Sequence, residues 1–256
     1  MAPLLARSLH LTIILVLSLM ASACQVTMNG ETVTPAQLHG ARRIAVISVA
    51  GNTISFHKNS GFRSTQATAD ASQWGLDDAT AKRFADGIES ALGVATVAYI
   101  GQRNDAIRKS LYVDKPLLRA DRLNWNAVSS DLRAIAADTG SDLVALVVRE
   151  PSQDELGTGP VVVEGWGYSS GHDECSAYAK LILILFDPSR EKPIAGAFVY
   201  QLERGKGFQR RIALPEEDCR TGLNGARPAQ LERLKHALAS IPDDATIRNT
   251  ARRLIQ

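Results

Sequence analysis

The chain is short of the residues that most directly announce a chemistry. Aromatics make up only 5% of its 256 residues, too few for a base-stacking platform. Charge of one sign is missing as well. There are 29 Lys and Arg against 27 Asp and Glu, a net charge of +2, so the broad basic field of a nucleic-acid binder is absent and no such partner is expected. No apolar run reaches the ~20 residues that span a bilayer. There is no internal repeat, no low-complexity tract and no Cys-x-x-Cys pair. No cofactor motif presents itself either. What is there, 45% hydrophobic and 22% charged residues, is the composition of a globular chain long enough to bury a sizeable core.

The first residues read as an address. Arg7 is the only charged side chain before Met20. Leu9–Met20 is an apolar run, and Ala21-Ser22-Ala23 supplies the small residues that a signal peptidase accepts. Met1–Ala23 is therefore expected to be an export signal. A single Arg in place of a pair points to the general secretory route. Its removal takes one basic residue and no acid, so a body held to a membrane by charge alone is not expected.

The residue that follows is Cys24. Leu19-Met20-Ala21-Ser22-Ala23-Cys24 resembles the lipobox of bacterial lipoproteins, although Ala21 stands where Leu is commonest. The resemblance implies that Cys24 is acylated and becomes the new amino terminus, with palmitate among its chains. Gln25 at the next position implies the outer membrane. Two or three acyl chains anchor stably where one is marginal, at about 0.8 kcal/mol per buried methylene. Ordinary cleavage after Ala-Ser-Ala cuts the same bond and leaves Cys24 bare, and this reading stays open.

If Cys24 is acylated, Cys175 and Cys219 remain. An even pair in an oxidising compartment reads as a disulfide. A metal site is the rival, with His172, Cys175, Cys219 and a carboxylate as zinc ligands. The spacing argues against it, because one His lies near either Cys.

Along the chain, residues 24–40 are polar and read as a flexible tether, and residues 41–256 as a single domain. Arg42–Val49 is a first strand. Thr53–His57 follows Gly51-Asn52 and is expected to fold back on it as a hairpin. Gly61–Trp74, rich in Ser, Thr, Gln and Ala, reads as a loop. Asp77-Asp78 is expected to cap a helix carrying Ala81, Phe84, Ala85, Ile88 and Leu92 at helical spacing, stopped by Gly93. Val94–Ile100 is a strand. A second helix places Val128, Leu132, Ile135 and Ala136 on one face before Gly140. Asp142–Arg149 is a strand apolar on both faces, which implies cover on both sides. Val161–Tyr168, Ser176–Phe186 and Pro193–Leu202 are three further strands. Two helices close the chain after Pro228 and Pro242. The fold class is therefore α/β, a mixed sheet with flanking helices and an antiparallel meander in its second half.

This order of elements is similar to the amino-terminal domain of TolB. Locally, Arg43-Ile44-Ala45-Val46-Ile47-Ser48, Gly61-Phe62 and Gln73-Trp74-Gly75-Leu76-Asp77 resemble a group of uncharacterised exported proteins of proteobacteria. Neither likeness implies a functional residue.

Four features carry candidate chemistry. Gly167-Tyr168-Ser169-Ser170-Gly171 fits Gly-x-Ser-x-Gly, the nucleophile elbow of α/β-hydrolases, with Ser169 as nucleophile and His172 or His236 as base. The elbow needs a helix after the turn, and the residues that follow have a strand pattern, so a Gly-Ser hairpin loop is the plainer reading. His39, His57, His172 and His236 are the histidines beyond the signal, and each reads as solvated. Arg204, Lys206, Arg210 and Arg211 form the densest basic patch, suited to phosphate or lipid head groups or simply to a solvated loop. Trp166 and Tyr168 share a strand face that either lines an exposed glycan site or caps a core.

The expectation is a non-catalytic lipoprotein of the cell envelope. It faces the periplasm, is held by Cys24, and serves as a binding or assembly module for an envelope protein partner. A periplasmic serine hydrolase and a metal-binding exported protein are the alternatives.

Overall fold

A computed structural model describes residues 38, 40–59, 64–112, 123–150, 152–153, 162–163, 165–170, 175–199, 211–220, 222–223 and 225–255. The export signal, Cys24, His172, Arg204, Lys206 and Arg210 lie outside the described residues. Leu38, inside the stretch read as a tether, is already buried among core side chains.

The strands are β1 (Arg43–Ser48), β2 (Thr53–Asn59), β3 (Ser64–Asp70), β4 (Ala95–Ala98), β5 (Leu143–Arg149), β6 (Ser152–Gln153), β7 (Val162–Val163), β8 (Gly165–Ser170), β9 (Cys175–Asp187), β10 (Lys192–Phe198) and β11 (Arg211–Leu214). The helices are α1 (Leu76–Leu92), α2 (Arg103–Leu111), α3 (Trp125–Thr139), α4 (Glu216–Arg220), α5 (Pro228–Ser240) and α6 (Asp244–Arg253). The mixed α/β sheet expected from the sequence is present, and β6 and β7 pair with each other outside it.

The sheet is organised by β9. Its 13 residues are long enough to serve two half-sheets. Cys175–Lys180 pairs with β8 and β11, and Leu181–Asp187 pairs with β5 and β10. On one edge of β9, β5 and β8 stand end to end, and a Cβ placed on Gly165 would sit 3.4 Å from that of Arg149. Beside them β1 runs on into β2, parallel to β5 and β8 respectively. The outer column is β4, parallel to β1, and β3, antiparallel to β2.

This corrects two expectations. β2 does not fold back on β1; it continues β1's line and makes its hairpin with β3. The stretch expected to be a loop contains β3, whose Ser, Thr, Gln and Ala carry no hydrophobic alternation and are recruited by β2's free edge.

The two faces of the sheet are dressed differently. On one, α1, α5 and α6 cover Ile44, Val46, Ala145, Val147, Leu183 and Leu185. On the other, α2 and α3 cover Ala45, Ile47, Val144, Leu146, Ile184 and Phe186. Alternate residues of β1, β5 and β9 thus enter opposite cores, which is why these strands read as unbroken apolar runs. Each fully buried large side chain contributes roughly 1.5–3 kcal/mol of transfer free energy. In the half built from β2, β8 and β9, the second face is instead polar. Ser55, His57, Ser169, Ser176, Tyr178 and Lys180 occupy it, all buried.

Candidate functional site

A concavity among the described residues lies at the carboxyl ends of β1 and β4. These parallel neighbours send their chains to opposite faces, β1 (after the β2–β3 hairpin) into α1 and β4 into α2. A crevice opens where neighbouring strands part in this way, and it is where open α/β sheets place ligands. Here it is a cleft of about 260 Å³ lined by residues that include Ser72, Gly75, Asp78, Gly101, Asn104 and Asp105. That is below the roughly 300–1,000 Å³ of a drug-sized ligand site, so it suits a small group or a single side chain.

Asp77 and Arg108 build the cleft's floor. Asp77 is buried in the first turn of α1. Its carboxylate accepts from Ser48 Oγ at 2.6 Å, from the Gly51 N–H at 3.2 Å and from Arg108 Nη2 at 2.7 Å. Arg108 donates also to Asp105 at 2.8 Å. One carboxylate therefore ties the end of β1 to α1 and α2. The sequence assigned Asp77-Asp78 to capping. The N-cap position is instead Gly75, in the left-handed region at φ 62°, and Asp77 turns inward to the guanidinium. Asp78 stays exposed at the rim, beside Ile100, the one large apolar side chain exposed among the described residues.

Asn104 gives the cleft its polarity. It is 6% exposed, and its Nδ2 donates to the Tyr99 carbonyl at 3.3 Å, while its Oδ1 has no partner. A buried carbonyl oxygen left unpaired costs about 1–3 kcal/mol. With Asp78 and Asp105 it makes the cleft rich in acceptors.

A second fastening stands behind the cleft. Tyr112 Oη donates to the Val49 carbonyl and accepts the Arg149 N–H, both at 2.9 Å, and the Arg149 guanidinium lies 4.1 Å from the Tyr112 ring centre.

The structure separates most of the residues singled out from sequence. Ser169 lies within β8, opposite Ser176 of β9, with the two Oγ atoms 3.5 Å apart. Gly167–Ser170 is thus strand where a hairpin loop was expected, and the antiparallel β9 follows it in place of a helix. His236 is exposed on α5, against the sheet face opposite Ser169. Directly across from Ser169 in register is His57. His57 was expected in solvent but is 1% exposed, and neither ring nitrogen has a hydrogen-bond partner. Burial pulls its pKa down to about 4. Trp166 and Tyr168 are core residues, with Tyr168 stacked on Phe56 at 4.5 Å. Burial, with the Asp218 charge second, pushes the Tyr168 phenol's pKa up.

Cys175 and Cys219 form a disulfide between β9 and α4. Asp218, next to Cys219, is buried and accepts from Arg233 Nε at 2.9 Å and Nη2 at 2.5 Å. Both sulfurs and this neighbouring carboxylate are thereby committed, and no His, Cys, Asp and Glu group of metal-binding geometry occurs among the described residues. Arg211 sits in β11, half-buried and paired with Tyr178 across the ladder, where a solvated loop was expected.

No family model matches the chain, and no curated protein matches it. Among solved structures it is similar to the PelC dodecamer from Paraburkholderia phytofirmans, at 8% identity and a TM-score of 0.33, over 84% of this chain and 91% of that one. It is similar also to a Xanthomonas campestris protein of family model DUF330, at 10% identity and a TM-score of 0.35, over 84% of each chain. A hypothetical protein of Chlamydia trachomatis follows at 10% identity and a TM-score of 0.27, over 82% and 96%. None of these likenesses is strong enough to carry a property to this chain.

Proposed function

We propose that the chain is a lipid-anchored protein of the cell envelope whose folded body is a binding module facing the periplasm. The cleft between β1 and β4 is its contact site. The observation that carries the binding role is Asn104, which lines that cleft and is buried with its Oδ1 unpaired. With Asp78 and Asp105 beside it, the site calls for a small group rich in N–H or O–H donors, either free or displayed by an envelope partner. The envelope placement draws its support from the export signal, from Cys24 after Ala-Ser-Ala, and from a disulfide of the kind oxidising compartments keep.

Metabolic labelling with an alkyne fatty acid tests the anchor. The wild-type chain takes up label and sediments with membranes, and Cys24→Ser abolishes both. An unlabelled, soluble wild-type chain overturns the anchor. A photo-crosslinking residue at position 78 tests the cleft. Discrete adducts in living cells, lost when Asn104 is changed to Leu, are expected. Adducts indifferent to Asn104 overturn the cleft as the contact site.

A further inference from the structure

The outer column of the sheet ends in β3, and its exposed edge differs from the other sheet edges among the described residues. β4 is four residues long and mostly half-buried. β10 carries Pro193 and a register break between Pro193 and Ala195. β11 is four residues long. Short strands, prolines and irregularities are the usual guards against edge-to-edge pairing, as are lysines. β3 has none of them. It runs seven residues, Ser-Thr-Gln-Ala-Thr-Ala-Asp, in unbroken register with β2. Thr65, Gln66, Ala67, Thr68 and Asp70 are exposed. Among the described residues β3 pairs with β2 alone.

We infer that β3 is an interaction surface and that its partner is β3 of a second copy of this chain, added antiparallel about a two-fold axis through Ala67. The sequence of the strand selects this arrangement. Facing residues of an antiparallel pair must share a face, so a two-fold axis passes through a single residue position. Placing it at Ala67 engages all seven residues. Ser64 then faces Asp70, Thr65 faces Ala69, Gln66 faces Thr68, and Ala67 faces its own copy. No bulky pair and no like-charged pair results. The strand's one charge, Asp70, sits at its end. The antiparallel register therefore holds the two Asp70 carboxylates about 20 Å apart at ~3.4 Å per residue, beyond the ~8 Å screening length of physiological salt. A parallel in-register pair would set them side by side. The β3 edge is complementary to itself in one direction only, and the result is an isologous dimer joined by strand addition.

The test is sedimentation velocity on the exported full chain carrying Cys24→Ser, over a concentration series. A dimer that dissociates on dilution is expected. Ala67 is exposed, so Ala67→Lys leaves the monomer's fold intact but opposes two ammonium groups across the axis, and it weakens the dimer at least tenfold. Ala67→Asp does the same. An equimolar mixture of the two variants restores the dimer, because the axis then pairs Lys with Asp. Amide hydrogen exchange of the wild type supplies a readout free of substitution, with residues 64–70 gaining protection as concentration rises. A wild-type chain that stays monomeric throughout, or a dimer indifferent to both charges at position 67, overturns the inference. A failed lipid anchor does not touch it, because the chain tested has none.

Discussion

The ring of Tyr178 crosses β8 over Gly167. A Cβ at position 167 would overlap the Tyr178 hydroxyl and lie 2.5 Å from the Ser55 carbonyl oxygen. Gly167 and Tyr178 are direct cross-strand partners on β8 and β9. The tyrosine thus spans the glycine's row to approach β2, where its ring lies 6.1 Å from that of His57. An aromatic side chain laid over a strand glycine protects a weak point of the ladder. This accounts for the first glycine of the Gly-x-Ser-x-Gly pattern without any nucleophile.

Gly167→Ala is therefore expected to destabilise the fold by about 1–3 kcal/mol, the usual cost of overpacking, with Tyr178 forced from its place. Tyr178→Phe on that background recovers little, because the ring carbon that bears the hydroxyl would itself overlap the new methyl. Ser169→Ala, by contrast, changes stability by less than about 1 kcal/mol, since its only described side-chain contact is a long one to Ser176. Urea midpoints of the four chains decide it. Equal effects at 167 and 169 would show that the glycine is not the structural member of the motif.

What the sequence made legible was what hydrophobicity encodes. β5 and the Leu181–Phe186 half of β9 are apolar on both faces, and the helices α1, α3 and α5 carry periodic apolar stripes. β3 was hidden because its residues are small and polar and its formation depends on β2's edge. α2 was hidden because it buries only Asn104, Ile107 and Leu111, too few for a stripe. The cleft was hidden for another reason. Asp77 and Arg108 are 31 positions apart, and nothing in either neighbourhood foretells that they meet. Ser55 and His57 alternate with Ile54 and Phe56, a pattern that reads as one wet face, yet both faces of β2 are buried here.

That burial makes stability depend on pH through His57. Its pKa is about 4 in the folded chain against 6.5 when unfolded. Between those values the unfolded chain binds a proton that the folded chain refuses. The contribution is fully present above pH 6.5, is lost as pH falls toward 4, and is flat below that. At about 1.4 kcal/mol per unit, it amounts to roughly 3 kcal/mol. His57→Phe is expected to flatten the stability profile across pH 4–6.5 relative to wild type. Parallel profiles from guanidinium titrations would show that His57 takes up its proton in the native state at the ordinary pH.

The Cys175–Cys219 bridge closes a loop of 44 residues' separation between β9 and α4. On the chain-entropy model its loss costs about 4 kcal/mol. Cys219→Ser, or full reduction, should lower the denaturation midpoint accordingly. α4 has a second hold on the body, the Asp218–Arg233 pair. Arg233→Ala leaves the buried Asp218 carboxylate without its counter-charge, and its cost should be smaller in the oxidised chain than in the reduced one. Additive effects of the two changes would mean that they do not share the work of seating α4.

The Asp77–Arg108 pair gives the last prediction. Asp77 is buried and Arg108 half-buried, and removing one member of such a pair leaves the other without its counter-charge. Losing a partner from a fully buried pair costs about 3–5 kcal/mol. Arg108 retains some contact with solvent and a second carboxylate in Asp105, so the two variants should differ. Asp77→Ala strips three hydrogen bonds from Ser48, Gly51 and Arg108 together, and is expected to approach the upper end of that range. Arg108→Met keeps the aliphatic stem and the Ser48 and Gly51 bonds, so its cost should be about half as large. Chemical denaturation of both variants at neutral pH checks the order. A costlier Arg108→Met than Asp77→Ala would mean that the guanidinium, and not the carboxylate, organises the meeting of β1, α1 and α2.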